Sequence, residues 1–317
     1  MMKKLLYLCV LILIGCADEN TLEKEIAAIP IDVNVARFDQ IFLNATPADL
    51  PELKKAYPIF FPSSVPDSTW VYTMNDPLQK ELKTEIDAVF DDFAPVHRDI
   101  KSVLQHIEFY FPEYDPPKIL TVTTEDYRKK VILYEDMFLI ALNTYLGADH
   151  KYYEGIQKYI SHTFEKEMIP VDIASEFAFS QVKSPRERTF LSKMIYYGKI
   201  QYIKSLLVPK ASIAMQFGYT NRQADWAAVN EAQIWTYFIE KELLYSTNNK
   251  LDARFLNLAP FSKFYLELDN ESPGGVGRYI GYQIVQAYMK NNDVSLRQML
   301  GKPAEEIFNN SKYKPKK

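Results

Sequence analysis

Lys118-Ile119-Leu120-Thr121-Val122-Thr123-Thr124 is where the hydrophobic period of this chain changes. Before it, apolar residues recur at helical spacing; here they crowd into a short run that reads as a strand. Lys130–Leu142 is a longer apolar run broken at Glu135-Asp136, which predicts a hairpin turn and two or three neighbouring strands. Asn143–Gly147 follows as a loop, and from Tyr152 onward the helical period returns. A small strand element set into helical sequence predicts an α+β, mostly helical fold.

Upstream, Ile31–Phe42 alternates in part and predicts a strand and turn, and Pro47–Leu50 opens a short helix ending near Pro58. Asp76-Pro77 places a capping carboxylate before a proline, the usual start of a helix. That helix presents Leu78, Leu82, Ile86, Val89 and Phe90 and is interrupted at Pro95. A second, carrying Ile100, Val103, Leu104, Ile107 and Tyr110, stops before Pro112.

Downstream, Pro170–Val182 reads as one helix. Ser184-Pro185-Arg186-Glu187 has the form of a capping box and predicts a helix running to Leu207, before Pro209. Thr220-Asn221-Arg222-Gln223 opens another, to about Leu244, with Trp226, Ile234, Trp235 and Phe238 facing the core. Gly277–Met289 and a short helix opened by Ser295-Leu296-Arg297-Gln298 complete the pattern. No repeat and no low-complexity linker divides the chain.

The N-terminus carries an address. Lys3 and Lys4 precede the apolar run Leu5–Ile14, which is too short to span a bilayer, and Leu13-Ile14-Gly15-Cys16 has the form of a bacterial lipobox. Residues 1–15 are expected to be a cleaved signal peptide, 16–28 an acylated tether, and 29–317 a single mainly helical domain. Two or three acyl chains on Cys16 would hold the protein to membrane lipid, since each buried methylene contributes about 0.8 kcal/mol. The expectation is a lipid-anchored protein of the cell envelope, at the outer membrane, with the leaflet left open.

Composition bounds the rest. Cys9 and Cys16 are the two cysteines, one removed with the signal and one acylated, so no disulfide is available. The formal net charge is −4, and losing Lys3 and Lys4 takes it to about −6. With no basic block before Lys312–Lys317, nucleic acid is excluded as a partner. The 22 tyrosines and 19 phenylalanines serve either a large core or a sugar- or protein-binding surface.

Catalytic patterns are missing. His97, His106, His150 and His162 include no pair at helical ligand spacing, and there is no HExxH. No GxSxG nucleophile elbow occurs. Glu176, Glu231 and Glu240 lie in aromatic-flanked helices and either face a cleft or lie at the surface. Asp269 and Glu271, ahead of Pro273-Gly274-Gly275, form a possible ligand loop but lack the regular oxygen ligands of a calcium loop. Gly275, Gly277 and Gly281 are spaced GxGxxxG, which is not a dinucleotide fingerprint. They read better as a sharp chain turn and, at Gly281, a site where another helix comes close.

An ordered set of short segments makes the chain recognisable: the lipobox, Tyr196-Tyr197-Gly198-Lys199-Ile200-Gln201-Tyr202, Asn230-Glu231 with Trp235, Ala259–Phe264, Asp269–Gly274 and Ser311–Pro315. Together these resemble the gliding motility lipoprotein GldB family of Bacteroidetes over nearly the whole mature chain. The resemblance implies an envelope lipoprotein needed for gliding and tied to a dedicated secretion system, with no established chemical activity and no cofactor. A more distant likeness is to zinc peptidase-like (gluzincin) domains. In it, Ala174–Phe179 stands where HExxH would be, with Ser175 and Phe179 at the histidine positions and Glu176 retained. On the next helix Tyr197 replaces a glutamate ligand, Gly198 is kept and Gln201 replaces an aspartate. This implies a zincin-like scaffold without its metal site.

The resulting expectation is a non-enzymatic envelope protein working through contacts with proteins of the gliding and secretion machinery. The alternatives are a glycan- or peptide-binding module using the degenerate cleft at Glu176, Tyr197 and Gln201, and a divergent hydrolase with Glu176 as base.

Overall fold

The computed structural model describes residues 19–267 and 269–316. Cys16 and the signal segment lie outside the described residues. The stretch read as tether is in part folded: α1 (Glu19–Ala27) lies against α6 with Ile26 buried, and Gln105 donates from Nε2 to the carbonyls of Ala27 and Ile29.

The chain then passes through β1 (Val35–Ala36), α2 (Phe38–Asn44), α3 (Leu50–Ala56), α4 (Asp67–Asn75), α5 (Pro77–Val89) and α6 (Ala94–Tyr110). Asp76 caps α5 as its sequence requires, accepting from the Leu78 N–H at 2.9 Å. The strand expected over Ile31–Phe42 is only two residues long, and Phe38 begins a helix instead. Phe38 stacks on Phe60 with ring centroids 4.2 Å apart, inside a satellite core that also holds Phe42, Phe61 and Met74.

β2 (Lys118–Val122), β3 (Val131–Tyr134) and β4 (Met137–Ala141) follow. The hairpin turns at Glu135, whose φ of 51° is the left-handed conformation a tight reversal needs. The sheet has four strands in the order β1-β2-β4-β3, so the upstream strand within Ile31–Phe42 joins the downstream group in one sheet. β2 pairs parallel with both β1 and β4 (Val35↔Ile119, Lys118↔Met137), and β3 pairs antiparallel with β4 (Val131↔Ile140). At two residues β1 is too short for hydrophobic period to fix its bounds, so the sequence placed it only within Ile31–Phe42.

The remaining elements are helical: α7 (Lys158–Ser161), α8 (Ile169–Gln181), α9 (Phe190–Leu207), α10 (Ile213–Phe217), α11 (Asn221–Val229), α12 (Glu231–Glu240), α13 (Lys250–Phe255), α14 (Val276–Asn291), α15 (Leu296–Gly301) and α16 (Ala304–Ser311). The mostly helical fold with a small mixed sheet is therefore as expected. α9 joins two cores. Ile200, Ile203 and Leu207 face the sheet, α6 and α8, while Phe190, Met194 and Ile195 face α12, α14 and α16.

Two helix boundaries differ from the sequence reading. The box at Ser184–Glu187 does not start α9. Thr189 caps it, accepting from the Ser192 N–H at 3.2 Å, and the first free N–H groups of the helix are taken by the loop behind it (Phe190 N to Ser246 O, 2.9 Å; Leu191 N to Leu244 O, 2.8 Å). Those tertiary partners settle the start five residues later than local spacing suggests. The helix opened by Thr220, whose capping box is present, breaks at Asn230 into α11 and α12 and ends at Glu240. Asn230 turns its amide back to the Trp226 carbonyl at 2.8 Å. Ile234 and Phe238 are buried, whereas Trp226 and Trp235 are half-buried.

The crossing of α9 and α14 is set by glycine. A Cβ on Gly281 would lie 1.9 Å from the Met194 carbonyl oxygen, and one on Gly198 would lie 2.3 Å from that of Gly281. The two backbones touch where neither carries a side chain.

Candidate functional site

α8, α9 and the hairpin bring charged groups together at the edge of the larger core. Asp172 and Glu176 are one turn apart on α8 and share a face. Asp172 accepts an ion pair from Lys130 Nζ at 2.6 Å and a hydrogen bond from the Tyr145 hydroxyl at 2.9 Å. Lys130 also lies 5.5 Å from the Tyr145 ring centroid and 5.7 Å from that of Phe164. Burial, and then the Asp172 charge, push the Tyr145 phenol well above its usual range.

Glu176 is half-buried, and among the described residues no hydrogen-bond donor reaches it. Burial, reinforced by Asp172, pushes its carboxyl up to about 7. On α9, Lys204 is pulled down to about 8 by burial, with Asp172 acting against that shift and Arg278 and Lys130 adding to it. Its side chain is half-buried and lines a cavity of about 330 Å³, together with Lys130, Asp172, Tyr159, Phe164 and Phe217. On α14, Arg278 donates from Nε to the Leu256 carbonyl and lays its guanidinium 4.1 Å from the Tyr197 ring centroid. Tyr219, close by, keeps a buried hydroxyl with no hydrogen-bond partner among the described residues.

The cleft residues read from sequence do not share one surface. Ser175 donates its hydroxyl to the Val171 carbonyl at 2.8 Å, within its own helix. Phe179 is 40% exposed at the end of α8. Tyr197 is covered by Arg278, Gly198 is held against Gly281, and Gln201 is buried with its amide 3.3 Å from the Gln216 carbonyl. Among the described residues no group of three or more His, Cys, Asp or Glu is placed to hold a metal ion, so the zincin-like part of the fold expectation finds no ligand set behind it. Lys130, Asp172, Lys204 and Arg278 went unread. Asp172 had a signal, a second carboxylate one turn before Glu176; Lys130 and Arg278 approach only through tertiary folding.

Asp269 and Glu271 have a structural and a peripheral place. The Asp269 carboxylate accepts from the N–H groups of Tyr265 (2.8 Å) and Leu266 (3.2 Å), closing the turn that holds it. Glu271 lies with Asp269 at a second cavity of about 280 Å³, walled by Trp226, Tyr237 and Phe264.

Most of the short segments that carry the resemblance meet one another in space. Glu231, almost fully buried at the start of α12, accepts from the Tyr313 hydroxyl at 2.9 Å and the Lys316 N–H at 3.2 Å. Ser262 donates its hydroxyl to the Pro273 carbonyl at 2.7 Å, and a Cβ on Gly274 would strike the Ala259 carbonyl oxygen at 2.0 Å. Lys199 donates to the carbonyls of Leu300 (3.0 Å) and Lys302 (2.7 Å), closing the end of α15. Glu240, by contrast, is exposed.

Fold and site together define a mostly helical α+β protein with a small mixed sheet, a glycine-mediated helix crossing and a lysine-lined cavity beside it. The chain belongs to the family described as gliding motility protein GldB, whose model matches residues 19–315. No curated protein and no solved structure matches it.

Proposed function

We propose that this protein is a lipid-anchored component of the cell envelope that supports gliding motility and the linked secretion machinery through contacts with other envelope proteins. The observation that carries this reading is the family match over residues 19–315. The lipobox at Leu13–Cys16 supports the anchoring. In this reading acylated Cys16 holds the folded part close to the outer membrane, and the protein has no catalytic step of its own.

The peptidase-like ancestry belongs to the same proposal. α8 and α9 pack against each other, with Glu176 on the first and Gly198 on the second; in this proposal they descend from a peptidase scaffold that has lost its metal ligands. A carboxyl of raised pKa alone does not make a hydrolase, so the divergent-hydrolase reading is set aside in favour of assembly.

A deletion strain complemented with wild type or with Cys16→Ala tests the proposal. Spreading and secretion should fail in the deletion, recover with wild type and stay impaired with Cys16→Ala. In-cell crosslinking should recover a reproducible set of envelope proteins with wild type alone. Normal spreading and secretion in the deletion strain would overturn the reading.

A further inference from the structure

We propose that the cavity between the hairpin, α8, α9 and α10 binds a small monoanionic carboxylate attached to an apolar or aromatic group, with Lys204 as its counter-charge. Lys204 lines this cavity and has no ion-pair or hydrogen-bond partner among the described residues. A deep-set ammonium without a partner is costly, and an anion is what relieves it. The one carboxylate in the cavity wall cannot do so. Asp172 is already neutralised by Lys130 at 2.6 Å and bonded by Tyr145 at 2.9 Å. Arg278 adds positive potential from the α14 side while its own guanidinium is committed to the Leu256 carbonyl and the Tyr197 ring.

The walls and the size narrow the ligand. Tyr159, Phe164 and Phe217 form an apolar side, and Leu258, 61% exposed, stands at the mouth. A volume of about 330 Å³ falls at the small end of ligand sites, enough for one ring and its acid group. With Asp172 and Lys130 paired to each other, Lys204 is left as a single positive charge on the wall, which matches a monoanion and favours carboxylate over a phosphate dianion. Such a group occurs on a free aromatic acid and on the C-terminus of a peptide. The inference does not depend on where the protein is anchored.

Calorimetric titration of the detergent-purified full chain tests it, with N-acetyl-phenylalanine, its carboxamide, N-acetyl-Ala-Ala-Phe with a free C-terminus, and inorganic phosphate as probes. Both carboxylates should bind saturably and the carboxamide at least tenfold more weakly. Lys204→Gln should lose at least tenfold in affinity for the carboxylates, and Lys204→Arg should recover part of it. Tighter binding of the tripeptide would identify a peptide C-terminus as the source; equal binding would identify the free acid. The inference is overturned if the carboxamide matches the acid, if Lys204→Gln binds as wild type does, if phosphate binds more tightly, or if neither carboxylate saturates. The acid–amide comparison needs no variant, so a misfolded Lys204→Gln leaves the test intact.

Discussion

Glu176 and Lys204 are each held in an environment that opposes their charge, and their titrations act on stability in opposite windows. The Glu176 carboxyl rises from 4.5 to about 7 in the folded protein, so between those values the folded state binds more protons than the unfolded state. Its contribution is present below pH 4.5 and is lost as the pH rises through 7. Lys204 and Lys199 both fall from 10.5 to about 8, burial being the first cause in each, with Asp172 opposing it at Lys204 and Glu187 at Lys199. The unfolded state then binds more protons between pH 8 and 10.5, and stability rises with pH across that range. Urea unfolding against pH should therefore show a minimum near pH 7 to 8. Glu176→Gln should remove the decline on the acid side and raise stability at pH 8 by up to about 3 kcal/mol. Lys204→Met should be more stable than wild type at pH 7 and show a shallower alkaline rise; a less stable Lys204→Met would show that the ammonium has a partner in solution. Glu176 was legible from sequence because a carboxylate among Ala, Phe and Ser on a helix stands out. Lys204 was not, since a lysine near a helix end is ordinarily solvated and only the closure of α8 and the hairpin over it makes it exceptional.

At the scale of elements, the contact of α9 with α14 rests on two glycines with no room for a methyl group. Gly281→Ala would drive a Cβ into the Met194 carbonyl and Gly198→Ala into the Gly281 backbone. Neither obstacle is a flexible side-chain tip, so the helices must separate. Each substitution should cost about 3 kcal/mol, at the upper end of overpacking effects. The double variant should cost less than the sum, because one separation relieves both clashes. Additive losses in thermal unfolding would show that the two sites yield independently. Part of this contact could be read in advance, since Gly281 sits in a helical pattern where glycine has no local use. Helix starts were legible where the cap is local, as at Asp76, Thr220 and Ser295, each of which accepts from the backbone two or three residues on. The start of α9 was not, because Ser246 and Leu244 are contributed from more than fifty residues away.

For the whole molecule, Glu231 and Tyr313 join the middle of the chain to its last residues around one buried carboxylate. Glu231→Ala would leave the Tyr313 and Tyr279 hydroxyls and the Lys316 N–H without their acceptor and should cost about 2 to 3 kcal/mol. Tyr313→Phe, which keeps the ring packed on Trp235, should cost about 1 kcal/mol. Both variants should expose the Lys312–Lys316 segment to a lysine-specific protease faster than wild type; equal cleavage rates would show that the segment is held by something else. Membership of the family belongs to this scale too. It was legible in an ordered set of short segments, whereas the contacts among those segments, such as Glu231 with Tyr313, are tertiary and carry no local signature.

The same buried carboxylate imposes an order in time. Lys316 follows Glu231 by 85 residues. At a synthesis rate of about 5–20 residues per second, the acceptor waits on the order of ten seconds for its donors. As the chain is made, the layer around the sheet has its residues first, while the layer built on α12, α14 and α16 stays open until the final segment arrives. Late closure leaves the aromatic interior of the C-terminal half exposed for that interval.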